Sequence, residues 1–371
     1  MPFRFLLGIF QGLICGMKCI KIGANFGEEE RMNQTEQKIR NKITLLTFIC
    51  SLLVIWIHTF NLELYGIDAA STGVGRAAYF LENYWKNVTN IAVPLFFFIS
   101  GFLFFRTYDF GFQDTIAKYK SRVKSIGIPY ICWCTIYYLF FVVITSIPAV
   151  SRFLNGAEKR EISVIAWLRC LGPEKYYTLW FLQNLILFIA LCPVLYLVLK
   201  NRKKIPVGTI VLLAGILNVY FKWISLPAGL IEYSAGAWVA INYKNIIFYC
   251  NKYISIIAWV YIAYLFGTGF RWYGLISELL LFAALWYALD CFSLEREFPW
   301  WMKITFFTYV AHDLVLEVLE KLLLIALGRQ PIWALATYIF VPVVVFLVLV
   351  VAAMLLKRCL PRVWSVLTGA R

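Results

Sequence analysis

Long runs of apolar residues restrict the folds open to this chain more than any other feature of its sequence. Several runs extend over roughly 18–23 residues, which is the length that a helix needs to cross a bilayer. The chain is 62% hydrophobic and only 15% charged, whereas a soluble domain is about one-quarter charged and interleaves polar with apolar faces. The pattern therefore predicts an all-α, polytopic bundle of transmembrane helices.

About ten spans fit into the sequence, and they leave no room for a separate water-soluble domain. We place them at Ile43–Asn61, Asn87–Phe105, Ser125–Ile147, Tyr177–Leu199, Val207–Phe221, Leu226–Ile241, Ile246–Phe266, Tyr273–Ala288, Trp301–Leu323 and Ile332–Leu356. The predicted organisation is an N-terminal segment at 1–42, cytoplasmic or interfacial, then a membrane domain at 43–357 and a cytoplasmic tail at 358–371.

Residues 1–31 admit two interpretations. Phe3–Gly16 is a short apolar run that begins beside Arg4 and precedes Lys18, and it lacks the small-residue cleavage site of a signal peptide. The run is either an interfacial anchor helix or part of an over-extended start, with translation beginning at Met32.

Basic residues collect in alternate loops, and this pattern predicts the orientation of the chain. Lys and Arg cluster before the first span, between the second and third, after the fourth and after the last. Cytoplasmic loops retain such residues, so both termini are expected in the cytoplasm, as an even number of spans requires. The large external loops Leu62–Lys86 and Pro148–Tyr176 are then expected to roof an outward-facing acceptor site.

Two other functions suggested by composition are set aside. The net charge of +15 agrees with basic cytoplasmic loops, and no basic recognition helix or stacking platform points to nucleic acid. Most of the ten cysteines lie in or beside apolar runs, where they act as small hydrophobes. Cys132 and Cys134 point to different sides of a helix, and no metal site is expected.

The only two histidines, His58 and His312, both fall within apolar spans. Ionisable groups inside a membrane are costly, so the default interpretation is functional. A neutral imidazole offers a basic nitrogen that can deprotonate a hydroxyl nucleophile. The structural alternative for each histidine is a hydrogen-bonded packing or interfacial residue. Asp313 is expected to serve another partner than His312, because adjacent helical residues point about 100° apart.

Four segments lie in a distinctive order along the chain. They are Leu52-Leu-Val-Ile-Trp-Ile-His58-Thr, Ala92-Val-Pro-Leu-Phe-Phe-Phe-Ile-Ser-Gly-Phe-Leu, Lys120-Ser-Arg-Val-Lys-Ser-Ile-Gly-Ile-Pro-Tyr with the later Leu179-Trp-Phe-Leu, and Phe306-Phe-Thr-Tyr-Val-Ala-His312. Together they resemble the acyltransferase family 3 membrane proteins, which transfer acyl groups, usually acetyl, onto sugars and cell-envelope polymers. The resemblance extends from about Ile43 to Leu356.

The resemblance implies an O-acyltransferase of the bacterial cytoplasmic membrane, embedded in membrane lipid. Acetyl-CoA would be its co-substrate, no cofactor would be bound, and the acceptor would be an envelope glycan or lipid-linked sugar. His58 would be the general base or a transient acyl carrier, and His312 a positioning or second proton-transfer residue. The other expected site residues are Arg122 and Lys124 for the donor phosphates, and Trp180, Tyr309 and Ser100 around the chamber.

Two positions depart from the family pattern. The family commonly has an arginine eleven residues before the first-helix histidine, where this chain has Thr47, and another just before the second segment, where it has Asn90. An arginine supplies a permanent charge and a planar fork for phosphate. Three alternatives follow: another cation takes the place of the arginine, with Lys42, Arg106 and Arg122 as candidates, or the chain works differently, or it is not catalytic.

Two alternatives of a different class stay open at this point. A non-enzymatic transporter or exporter of a small envelope precursor would explain the missing arginines. The sequence shows no internal repeat and no paired broken helices, which weakens that alternative. A membrane sensor or scaffold would be favoured only if both histidines proved dispensable.

Overall fold

The computed structural model describes residues 28–146, 162–172, 177–202, 206–249, 251–270 and 274–370. Across these residues the regular secondary structure is helical, without a strand, which confirms the all-α prediction. Four helical stretches are long and apolar enough to cross a membrane, and six if each of two bent helix pairs forms one span. The four are Gln34–His58, Gly73–Phe105, Phe112–Ser146 and Pro331–Cys359.

The described residues form fifteen α-helices. In chain order they are α1 Glu28–His58, α2 Gly73–Thr89, α3 Ala92–Phe105, α4 Phe112–Arg122, α5 Ile128–Ser146, α6 Val164–Cys170, α7 Trp180–Ala190, α8 Cys192–Leu199, α9 Val207–Phe221, α10 Leu230–Tyr243, α11 Lys252–Gly267, α12 Leu275–Ala288, α13 Thr305–Leu327, α14 Pro331–Cys359 and α15 Pro361–Thr368. Short 3₁₀ turns lie at Tyr177–Leu179, Lys244–Phe248, Leu289–Cys291 and Trp300–Met302.

Helix α1 differs from its predicted bounds at both ends. It begins at Glu28 rather than Ile43, so much of the segment assigned to 1–42 is continuous with the first span, and residues 1–27 lie outside the described part. It ends at His58 rather than Asn61. The Asn61 backbone N–H donates to Oε2 of Glu82 at 3.0 Å, which anchors the chain as it leaves the helix.

The stretch Leu62–Lys86, predicted as an external loop, contains most of a helix. Polar and apolar residues alternate at helical spacing in α2, Gly73–Thr89, and a break at Asn90 and Ile91 separates it from α3. The prediction was wrong here because a loop was inferred from the polar residues alone, whereas one face of α2 packs on α14. The second external loop, Pro148–Tyr176, lies largely outside the described residues.

Two glycines allow α3 and α10 to pack with their backbones in contact. A Cβ atom on Gly101 would lie 2.1 Å from the backbone oxygen of Tyr233, and a Cβ atom on Gly236 would lie 2.0 Å from that of Phe98. Small residues let membrane helices approach closely, and the packing itself stabilises the pair. This contact places Ser100 and Tyr233 beside the same internal space.

A π-helical turn at Val123–Gly127 joins α4 to α5. The predicted third span began at Ser125, but the helical stretch extends from Phe112 to Ser146. A π turn adds a residue to the helical repeat, so it changes the direction in which the preceding side chains point, and such turns are frequent at functional sites. Arg122 is the last residue before this turn.

The fourth predicted span is not one straight helix. Helices α7 and α8 meet at Leu191 with a bend of 67°, and a second pair, α10 with its 3₁₀ extension and α11, is bent by 119°. Neither bend was predicted from the sequence. Pro193 is in the first turn of α8, and its missing N–H favours a helix break at that point.

A buried ion pair joins the middle of α1 to the 3₁₀ turn that follows α12. Lys42 Nζ lies 2.8 Å from Oδ1 of Asp290, and the two side chains are 3% and 5% exposed. Lys42 Nζ also donates to the Trp286 carbonyl oxygen at 3.1 Å, so its charge is fully used in the fold.

The end of the chain is packed against the bundle. Helix α15 lies within the segment predicted as a tail at 358–371, and Trp133 Nε1 donates to its Leu367 carbonyl oxygen at 3.0 Å. The Trp364 ring lies 5.1 Å from that of Phe307, centroid to centroid. Gly369 has φ +67°, and a Cβ atom there would meet the Ser125 backbone, so α15 supports the π turn directly.

Candidate active site

His58 and His312 come together, although 253 residues separate them in the sequence. Their ring centroids are 5.0 Å apart with an angle of 46° between the planes. His58 is the last residue of α1, and His312 is in the second turn of α13. Helices α1 and α13 pack against each other, so the two imidazoles meet where the end of one helix passes the side of another.

The surroundings of His312 define which of its ring nitrogens is basic. The side chain is fully buried, and Nδ1 lies 2.7 Å from the Tyr309 carbonyl oxygen. A carbonyl oxygen can only accept, so Nδ1 carries the hydrogen of a neutral ring and Nε2 carries the lone pair. Nε2 is buried and has no hydrogen-bond partner among the described residues. His312 thus presents an unused acceptor nitrogen inside the protein.

Asp313 interacts with His58 rather than with the neighbouring His312. Electrostatic coupling joins Asp313 to His58, and its carboxylate also contacts the Thr178 side chain. The angle between adjacent helical residues explains this arrangement, as expected from the sequence. A carboxylate near His58 would stabilise that ring when it holds a second proton.

A cavity of about 330 Å³ lies behind Tyr309, which lines it, whereas neither histidine is part of its wall. Its wall is mostly aliphatic and aromatic, and its polar members are Thr47, Ser100, Arg122, Tyr233, Thr305 and Tyr309. Tyr309 connects the cavity to the pair, because its ring centroid is 6.3 Å from that of His312. The Tyr309 hydroxyl donates to the Thr178 carbonyl oxygen, which holds the ring in this position.

Of the three basic candidates from the sequence, the cavity contains Arg122. Lys42 is in the buried ion pair with Asp290, and Arg106 pairs with Glu36. Arg122 is half-buried beside the Phe104 ring, 5.5 Å from its centroid, and no carboxylate of the described residues lies within ion-pair distance.

The other predicted site residues are distributed around this centre. Ser100 and Tyr309 line the cavity. Trp180 packs on Phe97 with ring centroids 5.8 Å apart, one layer behind the lining. Lys124 is exposed and lies on a shallow outer surface with Lys120, apart from Arg122. Among the described residues, no group of His, Cys, Asp and Glu side chains is suited to hold a metal ion.

The two positions that depart from the family pattern have different surroundings. Thr47 lines the cavity, about three helical turns from His58 on the same face of α1. Its hydroxyl donates to the Ile43 carbonyl oxygen at 2.8 Å, so it is satisfied within its own helix. Asn90 is exposed at the break between α2 and α3.

Tyr233, Thr178 and Tyr137 belong to the site but were not expected there from the sequence. Tyr233 lines the cavity with an unpartnered hydroxyl. Tyr137 donates to the Val310 carbonyl oxygen at 3.2 Å and so supports the helix that presents His312. A buried tyrosine in an aromatic-rich membrane protein gives no sequence signal of its own, and only the packing separates these residues from the rest.

Comparison with known families agrees with this geometry. A family model described as an acyltransferase domain matches residues 40–357, nearly the whole chain. The chain belongs to this acyltransferase family. The match includes both histidines and the lining residues of the cavity, as it includes nearly all of the chain. No curated protein matches the chain, and no solved structure does.

Two substitutions of His312 separate a chemical from a packing function. His312→Asn keeps an N–H near the position of Nδ1, whereas His312→Gln places an amide near Nε2. If the Nε2 lone pair transfers a proton, both variants are expected to fold and to lose about a hundredfold in acyl transfer. Transfer rates in purified membranes measure this, with thermal unfolding as the control. Wild-type activity in His312→Asn would contradict a role for Nε2.

Proposed function

We propose that this acyltransferase moves an acetyl group from acetyl-CoA to a hydroxyl of a cell-envelope sugar, polysaccharide or lipid-linked sugar. The observation that supports this most is the contact of His58 with the buried His312, separated by Tyr309 from a cavity that contains one arginine without an ion-pair partner among the described residues. One end of such a site suits proton transfer, and the other suits an anionic donor.

The protein lies in a bacterial cytoplasmic membrane, with about ten spans and both termini in the cytoplasm. Support comes from the clustering of Lys and Arg at the ends of alternate helices. In this orientation Arg122 and Thr47 are on the cytoplasmic side of the histidines. Acetyl-CoA then approaches from the cytoplasm, and the acceptor approaches from the opposite side, over the end of α1.

The chemistry is a direct acyl transfer in which atoms and protons balance. The acceptor oxygen attacks the thioester carbonyl carbon, an ester C–O bond forms and the C–S bond breaks. His58 removes the hydroxyl proton, and the neighbouring carboxylate of Asp313 stabilises the resulting imidazolium. The proton reaches the departing thiolate by way of His312, whose Nε2 is able to accept it.

Binding of acetyl-CoA tests this function against its rival. We expect acetyl-CoA, and desacetyl CoA more weakly, to raise the unfolding temperature of the purified protein and to label an envelope glycan when the acetyl group is isotopic. Mass spectrometry of envelope glycans from cells with and without the gene identifies acceptor and acyl group together.

The rival is a transporter or exporter of a small envelope precursor, which the bends at Leu191 and between α10 and α11 favour more than the sequence did. A transporter would show no stabilisation by acetyl-CoA and no transfer of label. If folded protein is not stabilised by acetyl-CoA, or transfers no label, the acyltransferase function is contradicted.

A further inference from the structure

The end of the cavity opposite the histidines contains two groups that the transfer step does not use. Arg122 projects into it from the end of α4, and Tyr233 projects into it from α10. Both line the same space as Thr47, the position three turns from His58.

The hydroxyl of Tyr233 has no hydrogen-bond partner among the described residues. The residue is 0% exposed, and its hydroxyl is a buried atom without a hydrogen bond to any described residue. Leaving a buried hydroxyl unsatisfied is unfavourable, so such groups in folded proteins commonly await a ligand or a water molecule. The aromatic ring itself is well packed, 5.3 Å from the ring of Phe188, so the side chain cannot turn away.

Arg122 and Tyr233 line the same cavity. Among the described residues, no carboxylate lies within ion-pair distance of Arg122. The guanidinium offers several N–H donors in one plane, and the hydroxyl adds a further donor beside them. A planar cation with an adjacent hydroxyl donor suits the oxygens of a phosphate.

The other residues of the cavity wall indicate the shape and polarity of the part of the ligand that connects its phosphate to its reacting group. Between Arg122 and Tyr309 the lining is aliphatic and aromatic, with residues such as Ile126, Leu185 and Phe181. A cavity of about 330 Å³ with such a wall takes a slender, mainly apolar arm. Arg122 and Tyr233 are among its polar groups, and Tyr309 leads from it towards the histidine pair.

We propose that Arg122 and Tyr233 form a phosphate-binding subsite for the 4′-phosphopantetheine arm of the acyl donor. The arm extends from this subsite along the cavity and brings its thioester past Tyr309 to the histidines. The family commonly has an arginine on α1 where this chain has Thr47. Arg122 on α4 and Tyr233 on α10 would then supply the contact to the donor anion that this arginine would otherwise make. This inference rests on the proposed function.

Three thioesters that differ in their phosphates test the subsite in purified protein. Acetyl-CoA and acetyl-4′-phosphopantetheine retain the phosphate in question, and acetyl-pantetheine lacks it. We expect the wild-type protein to bind acetyl-4′-phosphopantetheine about tenfold or more tightly than acetyl-pantetheine, because a hydrogen bond to a charged group contributes that much. Arg122→Gln is expected to remove this preference, and Tyr233→Phe to reduce it several-fold.

Controls keep each outcome informative. Lys120→Gln removes an equal charge from the exposed side of the same helix and is expected to keep the full preference. Tyr233→Phe retains the packed ring, so it reports on the subsite even if Arg122→Gln does not fold. Equal binding of all three thioesters by the wild type would overturn the subsite alone. The subsite would also be overturned if folded Arg122→Gln and folded Tyr233→Phe both kept the wild-type preference for acetyl-4′-phosphopantetheine over acetyl-pantetheine. Failure of the wild type to bind any thioester would instead overturn the proposed acyl transfer.

Discussion

Replacing His58 with alanine is expected to reduce acetyl transfer by about 10²–10⁴-fold, to the background of membranes without the protein. A positioned general base contributes a factor of this size, and alanine has no group to take the hydroxyl proton. The measurement is transfer of labelled acetyl from acetyl-CoA to envelope glycan in membranes that contain equal amounts of each variant.

The matched control for this variant is Ile49→Ala. Ile49 is on the same helix and is 42% exposed on the side away from the bundle, so its loss is expected to leave transfer unchanged. His58→Ala with activity close to wild type would show that the histidine pair is a packing feature. In that case the site would have to be sought elsewhere in the bundle.

Substituting Gly101 with alanine is expected to destabilise the folded protein strongly, although it adds only one methyl group. The new Cβ atom would overlap the Tyr233 backbone oxygen at 2.1 Å. Neither backbone can move without separating α3 from α10, and overpacking of this kind costs about 3 kcal/mol or more. Thermal unfolding in detergent, and the yield of monodisperse protein, measure the loss.

Gly267→Ala is the control for the glycine contact. Gly267 is at the end of α11, and no atom lies within 4 Å of the position of its added Cβ. Alanine has the higher helix propensity, so this variant is expected to be as stable as the wild type or slightly more stable. Equal unfolding temperatures for Gly101→Ala and Gly267→Ala would show that α3 and α10 do not depend on backbone contact.

The sequence predicted the membrane-type helices and the importance of the two histidines because both depend on residue type alone. Uninterrupted apolar runs and ionisable groups within them are visible without any knowledge of packing. The contact between the two rings was not predictable in that way. It depends on where α1 ends, and the expected end at Asn61 would have placed His58 a turn inside the helix.

The cationic end of the cavity was predicted in part. Arg122 and Lys124 were equivalent in the sequence, because both lie in one basic loop before a proline. The π turn at Val123–Gly127 separates them, so Arg122 lines the cavity and Lys124 lies outside it. Backbone irregularities of this kind leave no signature in an apolar sequence. Tyr233 was missed because its exceptional property is a hydroxyl without a partner, which only the packed structure reveals.

The complete burial of His312 has a consequence for the yield of the reaction. Water is itself a hydroxyl nucleophile and is present at far higher concentration than any sugar. A site open to solvent would lose its thioesters to futile hydrolysis, releasing acetate without modifying an acceptor. In the proposed reaction, the full burial of His312, which is 0% exposed, and the mainly apolar wall of the neighbouring cavity would limit the water that reaches the thioester. Discrimination against water would then be a property of the fold around the histidines rather than of the catalytic residues themselves.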